Sequence, residues 1–154
     1  DVAERAGIII PIFGVLYFSM SNLATVALIS EYYARFNSGN RKIFLDLLTE
    51  DVIHDLNQGS REISKSTFAK FLVRMDHCYR EQISDIRICS SADGKHASAE
   101  YVVKGTYLAQ DEGLPPAIGQ TYTLPGGAFF EIRADKIARV TNYYNLQDWL
   151  SQIG

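Results

Sequence analysis

His54 and Asp55 are neighbours in the stretch "EDVIHDLNQG", residues 50–59, and each is a residue type that general acid–base chemistry uses. A neutral imidazole is a base poised near neutral pH, and a carboxylate becomes one where its surroundings raise its pKa. The stretch otherwise reads as a buried strand, whose successive side chains point to opposite faces, so at most one of the two can look into a core or a pocket. For His54 the alternative to chemistry is a core histidine bonded to a backbone group or a tyrosine. For Asp55 it is a turn cap or a pair with Arg61 at the strand exit, and a catalytic role needs a one-residue bulge that shifts the register.

Other chemistry is poorly represented. His77, His96, Cys78 and Cys89 fall on separate elements without metal-ligand spacing, so no metal site is expected. No glycine-rich loop joins a strand to a helix, and no cofactor is implied. A net charge of −3 with scattered Lys and Arg argues against a nucleic-acid surface. The two cysteines read as reduced thiols of a cytoplasmic protein.

A chain of 154 residues fits one domain with a sizeable core, and nine Tyr, eight Phe and one Trp supply rings able to line an apolar cavity with polar tips. Residues 1–19, "DVAERAGIIIPIFGVLYFS", differ in character from the rest. Their apolar run is too short to span a bilayer, Pro11 interrupts it, and the positive flank of a signal peptide is missing. We read 1–19 as an extension arising from expression or from a misplaced start, and 20–154 as a single domain.

The periodicity predicts a helix over 22–36 with Val26, Ile29, Tyr33 and Phe36 on one side, stopped by Asn37-Ser38-Gly39. A short helix over 41–48 follows. Ser64 caps a third, whose stripe is Phe68, Phe71, Leu72, Met75 and Tyr79. The second half changes period: "QISDIRICSS", "HASAEYVVKGTYLA", "GQTYTLPGGAFFEIR" and "KIARVTNYY" read as four meander strands, and "NLQDWLSQIG" as a closing helix. Pro125-Gly126-Gly127 is expected to break or bulge its strand. "DEGLPPAIGQ", residues 111–120, is a plain connection or a rim over a cavity mouth. The expected class is α+β: N-terminal helices packed on a strongly curved antiparallel sheet, a cystatin-like roll enclosing a cone-shaped cavity.

The segments "EYYARFNSGN", "LLTEDVIHDLNQG" and "KIARVTNYYNLQDW" resemble the nuclear transport factor 2-like superfamily, in its ketosteroid-isomerase and polyketide-cyclase branch. "HDLNQG", "GTYLA", "EGLPPA" and "NYYNLQDW" are similar to bacterial proteins called ketosteroid isomerase-related. Steroid isomerases use an Asp base, a Tyr and a protonated Asp; the handling of that second Asp is a known example of a carboxyl kept neutral by an apolar site. By this resemblance Tyr32 matches the Tyr, Leu56 stands where the base belongs, Asp55 falls one residue short, and the second Asp falls near Ala128. Two of the three groups are thus replaced.

With Leu56 facing the hollow, alternation turns His54 and Gln58 inward and Asp55 and Asn57 outward, and turns Val140, Asn142 and Tyr144 inward on the last strand. The expected catalytic set is Tyr32, His54 and, with a bulge, Asp55. The expected pocket is Leu56, Phe71, Met75, Tyr101, Val103, Tyr122, Phe130, Asn142 and Tyr144. The implied activity is a cofactor-independent isomerase, lyase or cyclase acting on a hydrophobic carbonyl compound by proton abstraction. The alternatives are a non-catalytic pocket for a hydrophobic small molecule and an interaction module. A homodimer through the outer sheet face is expected from the superfamily, with no nucleic-acid or membrane partner.

Overall fold

A computed structural model describes residues 12–56 and 59–154, with side chains from Met20 onward. The elements are α1 (Ile12–Ser38), α2 (Arg41–Leu45), β1 (Leu48–Asp55), β2 (Arg61–Ile63), α3 (Lys65–Cys78), β3 (Tyr79–Ser90), β4 (His96–Tyr107), β5 (Thr121–Arg133), β6 (Lys136–Tyr144) and α4 (Leu146–Ile153). No described helix is long and apolar enough to cross a membrane.

The helix boundaries follow from local chemistry. Asn40, Ser64 and Asn145 each accept a hydrogen bond from a backbone N–H in the first turn of the helix they precede, satisfying donors that have no intrahelical partner. At the end of α1, Gly39 adopts φ +73°, a left-handed conformation that suits glycine. The Asn37 amide there pairs with both backbone groups of Ile83, each at 2.8 Å, and so ties the helix to β3. α1 is continuous through residue 20, so the expected boundary at Met20 is not marked by a helix break.

The strands form one open six-stranded sheet in the order β2-β1-β6-β5-β4-β3, and the class is α+β as expected. All neighbouring pairs are antiparallel except β1–β6, which is parallel because helix α3 and the meander separate the two in sequence. The pairing slips in β1 between Leu48 and Ile53, in β3 between Ser84 and Arg87, and between β5 and β6 at Glu131–Ile132. Such bulges bend a strand and increase its twist.

The expected break at Pro125-Gly126-Gly127 does not occur. β5 stays in register with β4 from Thr121 to Glu131, and Pro125 pairs with Val102. Proline is tolerated because β6 pairing begins only at Gly126, leaving the other side of Pro125 without a strand. The glycine has a steric reason: Tyr101, directly opposite, lays its ring over Gly126, where a Cβ would sit 2.7 Å from ring atom Cε2. Tyr122 covers Gly105 in the same way. Two aromatic rings are thereby pressed flat on the inner sheet face.

One core cluster joins Ile29, Tyr32, Tyr33, Phe44, Phe68 and Leu72 of the helices to Ala99, Phe130, Ile137 and Val140 of the sheet. A second, under α4, holds Tyr79, Tyr107, Tyr122, Leu124 and Ile153, with Trp149 against it. Burial of each large apolar side chain contributes about 1.5–3 kcal/mol.

Candidate functional site

A hollow of about 580 Å³ lies between the two clusters and is lined from both. That size suits a small organic ligand. Tyr32 reaches it from α1, His54 and Leu56 from β1 and its exit, Phe68, Phe71, Arg74 and Met75 from α3. The sheet contributes Tyr79 and Glu81 of β3, Tyr101 and Val103 of β4, Tyr122 of β5, and Asn142 and Tyr144 of β6, and α4 contributes Trp149.

His54 is the inward member of the opening pair. It is 2% exposed, stacked on Phe68 at 4.3 Å between ring centres and edge-on to Phe71 at 4.6 Å. Across the β1–β2 pairing its register partner is Glu62, whose Oε2 lies 3.5 Å from His54 Nδ1. Neither of these two buried atoms has a hydrogen-bond partner among the described residues. Nδ1 is thus turned to a carboxylate, and Nε2 is the nitrogen left for the hollow. Burial lowers the imidazole pKa below its ordinary value, while Glu62 draws it upward.

Asp55 follows the alternative reading, the pair with Arg61 at the strand exit, and not the catalytic one. β1 does carry a bulge, but it lies before Ile53, and from there His54 pairs with Val140 and Asp55 with Thr141. Asp55 therefore points away from the hollow, where Arg61 binds both its oxygens at 2.6 and 3.0 Å and Thr141 donates to it at 3.2 Å. Arg61 above all holds its carboxyl below the usual range. Gln58 and Asn57 lie outside the described residues.

Phe130 is a correction. It is 1% exposed and packs behind Tyr32 and Tyr33, with ring centres 5.4 and 6.3 Å away, so it supports the wall without lining it. The remaining expected pocket residues, Leu56, Phe71, Met75, Tyr101, Val103, Tyr122, Asn142 and Tyr144, all line the hollow. Tyr32 does too, its hydroxyl held neutral because burial raises its pKa. Tyr101 donates to Asn142 Oδ1 at 3.1 Å, which fixes the amide and leaves its N–H donors unused among the described residues.

Sequence reasoning missed Tyr79, Glu81, Asp111 and Trp149. The helical spacing places Tyr79 on the third helix, but α3 ends at Cys78 and β3 begins at once, so Tyr79, Glu81 and Ile83 alternate inward. That period-two pattern was present in the sequence. Glu81 accepts a 2.6 Å hydrogen bond from Tyr122, and burial pushes its carboxyl above the ordinary value. Asp111, Glu112 and Leu114 bring the loop after β4 to the hollow, which matches the rim alternative for this segment. The Tyr107 hydroxyl anchors that loop, donating to Pro115 O at 2.9 Å and accepting from Asp111 N at 2.8 Å. Asp111 accepts from Tyr79 at 2.8 Å.

Residues 29–140 match the SnoaL-like domain family. A protein from Pseudomonas putida KT2440 whose solved structure is described as a "putative polyketide cyclase" is 58% identical, with 82% of this chain and 96% of that chain covered and a TM-score of 0.81. Another so described, from Xanthomonas campestris pv. campestris, is 52% identical over 87% and 99% of the two chains, with a TM-score of 0.85. An LEH-like epoxide hydrolase from M. tuberculosis, 14% identical over 86% and 90% of the chains, shares the fold with a TM-score of 0.70. No curated protein matches the chain significantly. The chain belongs to the SnoaL-like domain family.

Proposed function

We propose that this protein is a cofactor-independent isomerase, lyase or cyclase that abstracts a proton next to a carbonyl of a hydrophobic substrate held in the hollow. The observation that carries this reading is His54: a nearly fully buried imidazole with Glu62 at one nitrogen and an apolar hollow at the other. In the proposed step His54 Nε2 takes the α-proton, and the imidazolium so formed is stabilised by Glu62. The electron pair moves onto the carbonyl oxygen, where the Tyr32 hydroxyl and the Asn142 amide are the hydrogen-bond donors. The enolate then regains a proton at another carbon, expels a β-hydroxyl, or attacks a second carbonyl. The polyketide cyclase description of the two similar proteins supports the cyclising branch.

The test is a thermal-shift screen against phenolic enolate mimics, steroids and aromatic polyketides. A ligand at 100 times its dissociation constant stabilises a fold by about 2.7 kcal/mol, several degrees for a domain of this size. Shifts by enolate mimics that vanish in Tyr32→Phe and His54→Ala support the reading, and a flat panel contradicts it. The proposal includes a homodimer through the outer sheet face, where Phe129 and Tyr143 are 52% and 51% exposed and meet edge to face. Sedimentation of Phe129→Lys against the unaltered chain tests that part.

A further inference from the structure

The hollow has a second polar end that the proton chemistry does not use. Three aromatic rings form corners there: Trp149 is nearly perpendicular to Tyr122 (77°, centres 6.0 Å apart) and to Tyr144 (85°, 6.2 Å). Tyr79 adds a tilted wall 5.9 Å from Trp149. All four rings line the hollow, so space remains between the walls. Glu81 sits among them, bonded to Tyr122 and close enough to Tyr101 and Tyr144 to perturb both hydroxyls.

The charge around this carboxyl is unbalanced. The acidic side chains lining the hollow are Glu81, Asp111 and Glu112, and the one Arg or Lys among the lining residues is Arg74. Arg74 stands 3.9 Å from Asp111, which leaves Glu81 without an ion-pair partner among the described residues. Arg41, the cation that Glu81 feels, is committed to Asp76 through two nitrogens. An unpaired carboxyl in apolar surroundings costs free energy that an opposite charge recovers, and ring faces attract the same charge.

We propose that this end of the hollow is a binding site for a cationic amine, its ammonium group held by the Glu81 carboxylate and the faces of Tyr122, Tyr144 and Trp149. The inference rests on the reading of the hollow as the ligand site and narrows the substrate class to amines that carry an apolar body toward His54. Anionic ligands are disfavoured by the same unbalanced charge. Burial raises the pKa of the empty Glu81 carboxyl, and an ammonium ion bound beside it lowers it, so acid opposes binding.

Trp149, the single tryptophan of the chain, reports on this site by its own fluorescence. Three probes are titrated: choline, its uncharged carbon isostere with a quaternary carbon in place of nitrogen, and a phenol that mimics the enolate. Choline is expected to bind at least about tenfold more tightly than the isostere, a preference that desolvated cation–π and ionic contacts supply. Glu81→Gln, which keeps an acceptor for Tyr122, removes that preference and leaves the isostere unaffected. In the unaltered protein, choline affinity falls on acidification through the Glu81 titration while isostere affinity stays level. Equal affinity for the two probes, a preference that survives Glu81→Gln, or a choline affinity independent of pH overturns the amine site. If the phenol binds in that case, only the amine site is lost; if it too fails to bind, the reading of the hollow as a ligand site falls with it.

Discussion

His54 Nδ1 faces Glu62 Oε2 across the β1–β2 pair at 3.5 Å, and neither atom has a hydrogen-bond partner among the described residues. Burial of His54 sets the sign of the pH dependence, and Glu62 opposes it. Burial places the folded-state pKa of His54 below 6.5, so the neutral, basic form prevails at neutral pH. The rate is expected to be level near pH 7, with an acid limb below 6.5. Glu62→Gln removes the group that draws the pKa upward and shifts this limb to still lower pH. Stability follows the same group: the contribution from neutral His54 is complete above 6.5 and is lost as pH falls from there through the folded-state pKa. A pH–rate profile of both proteins and urea titrations across that interval check these signs.

Asp55→Asn separates the two neighbours. Asp55 serves Arg61 and Thr141 on the side away from the hollow, so kcat/KM is expected to stay unchanged. Stability falls by about 1 kcal/mol, the scale of an exposed ion pair with one further hydrogen bond. Kinetics and urea unfolding of the same preparation decide both halves.

The glycines opposite the tyrosines give a packing prediction. Gly126→Ala places a methyl group against the Tyr101 ring, and Gly105→Ala against that of Tyr122. Each is expected to cost about 1–3 kcal/mol and to push a ring into the hollow. Gly127→Ala is the control, since its added carbon meets only Ala99 O at 3.4 Å. Urea midpoints of the three variants should separate the first two from the third.

The fold was legible in the sequence because α3 carries its Ser64 cap and apolar stripe, α1 its apolar side and Gly39 stop, and because each meander strand alternates. The site was legible where alternation alone decided it: once Leu56 is inward, so is His54, and Asn142 and Tyr144 follow on β6. Errors arose where two periods overlap. Tyr79 continues the α3 stripe at helical spacing and also opens β3, and taking it as helical hid Glu81 two residues later. Phe130 alternates inward as expected, but Tyr32 and Tyr33 from α1 cover it, a tertiary fact that strand periodicity does not contain. At Pro125-Gly126-Gly127 the residue types predict a break, whereas a ring on the neighbouring strand accounts for Gly126 and the start of β6 pairing beyond Pro125 accounts for the proline.

Glu81 is expected to show the reverse of ordinary carboxylate behaviour. Its folded-state pKa is raised above 4.5 by burial, so its contribution to stability is complete below 4.5 and is lost as pH rises through the folded-state value. Glu81→Gln is therefore expected to raise Tm at pH 7 and to have little effect near pH 4. Calorimetry of the two proteins at both pH values checks this, and a loss of stability at pH 7 would contradict it.

The step assigned to His54 is removal of a proton next to a carbonyl, and exchange of α-protons for solvent deuterium measures it without requiring the natural product. Hydrophobic ketones incubated with the protein in deuterated buffer are followed by proton NMR. The α-proton signal is expected to disappear faster than in buffer, with the rate reduced by about 10²-fold or more in His54→Ala. Exchange no faster than in buffer across the panel, or undiminished in His54→Ala, would contradict that assignment.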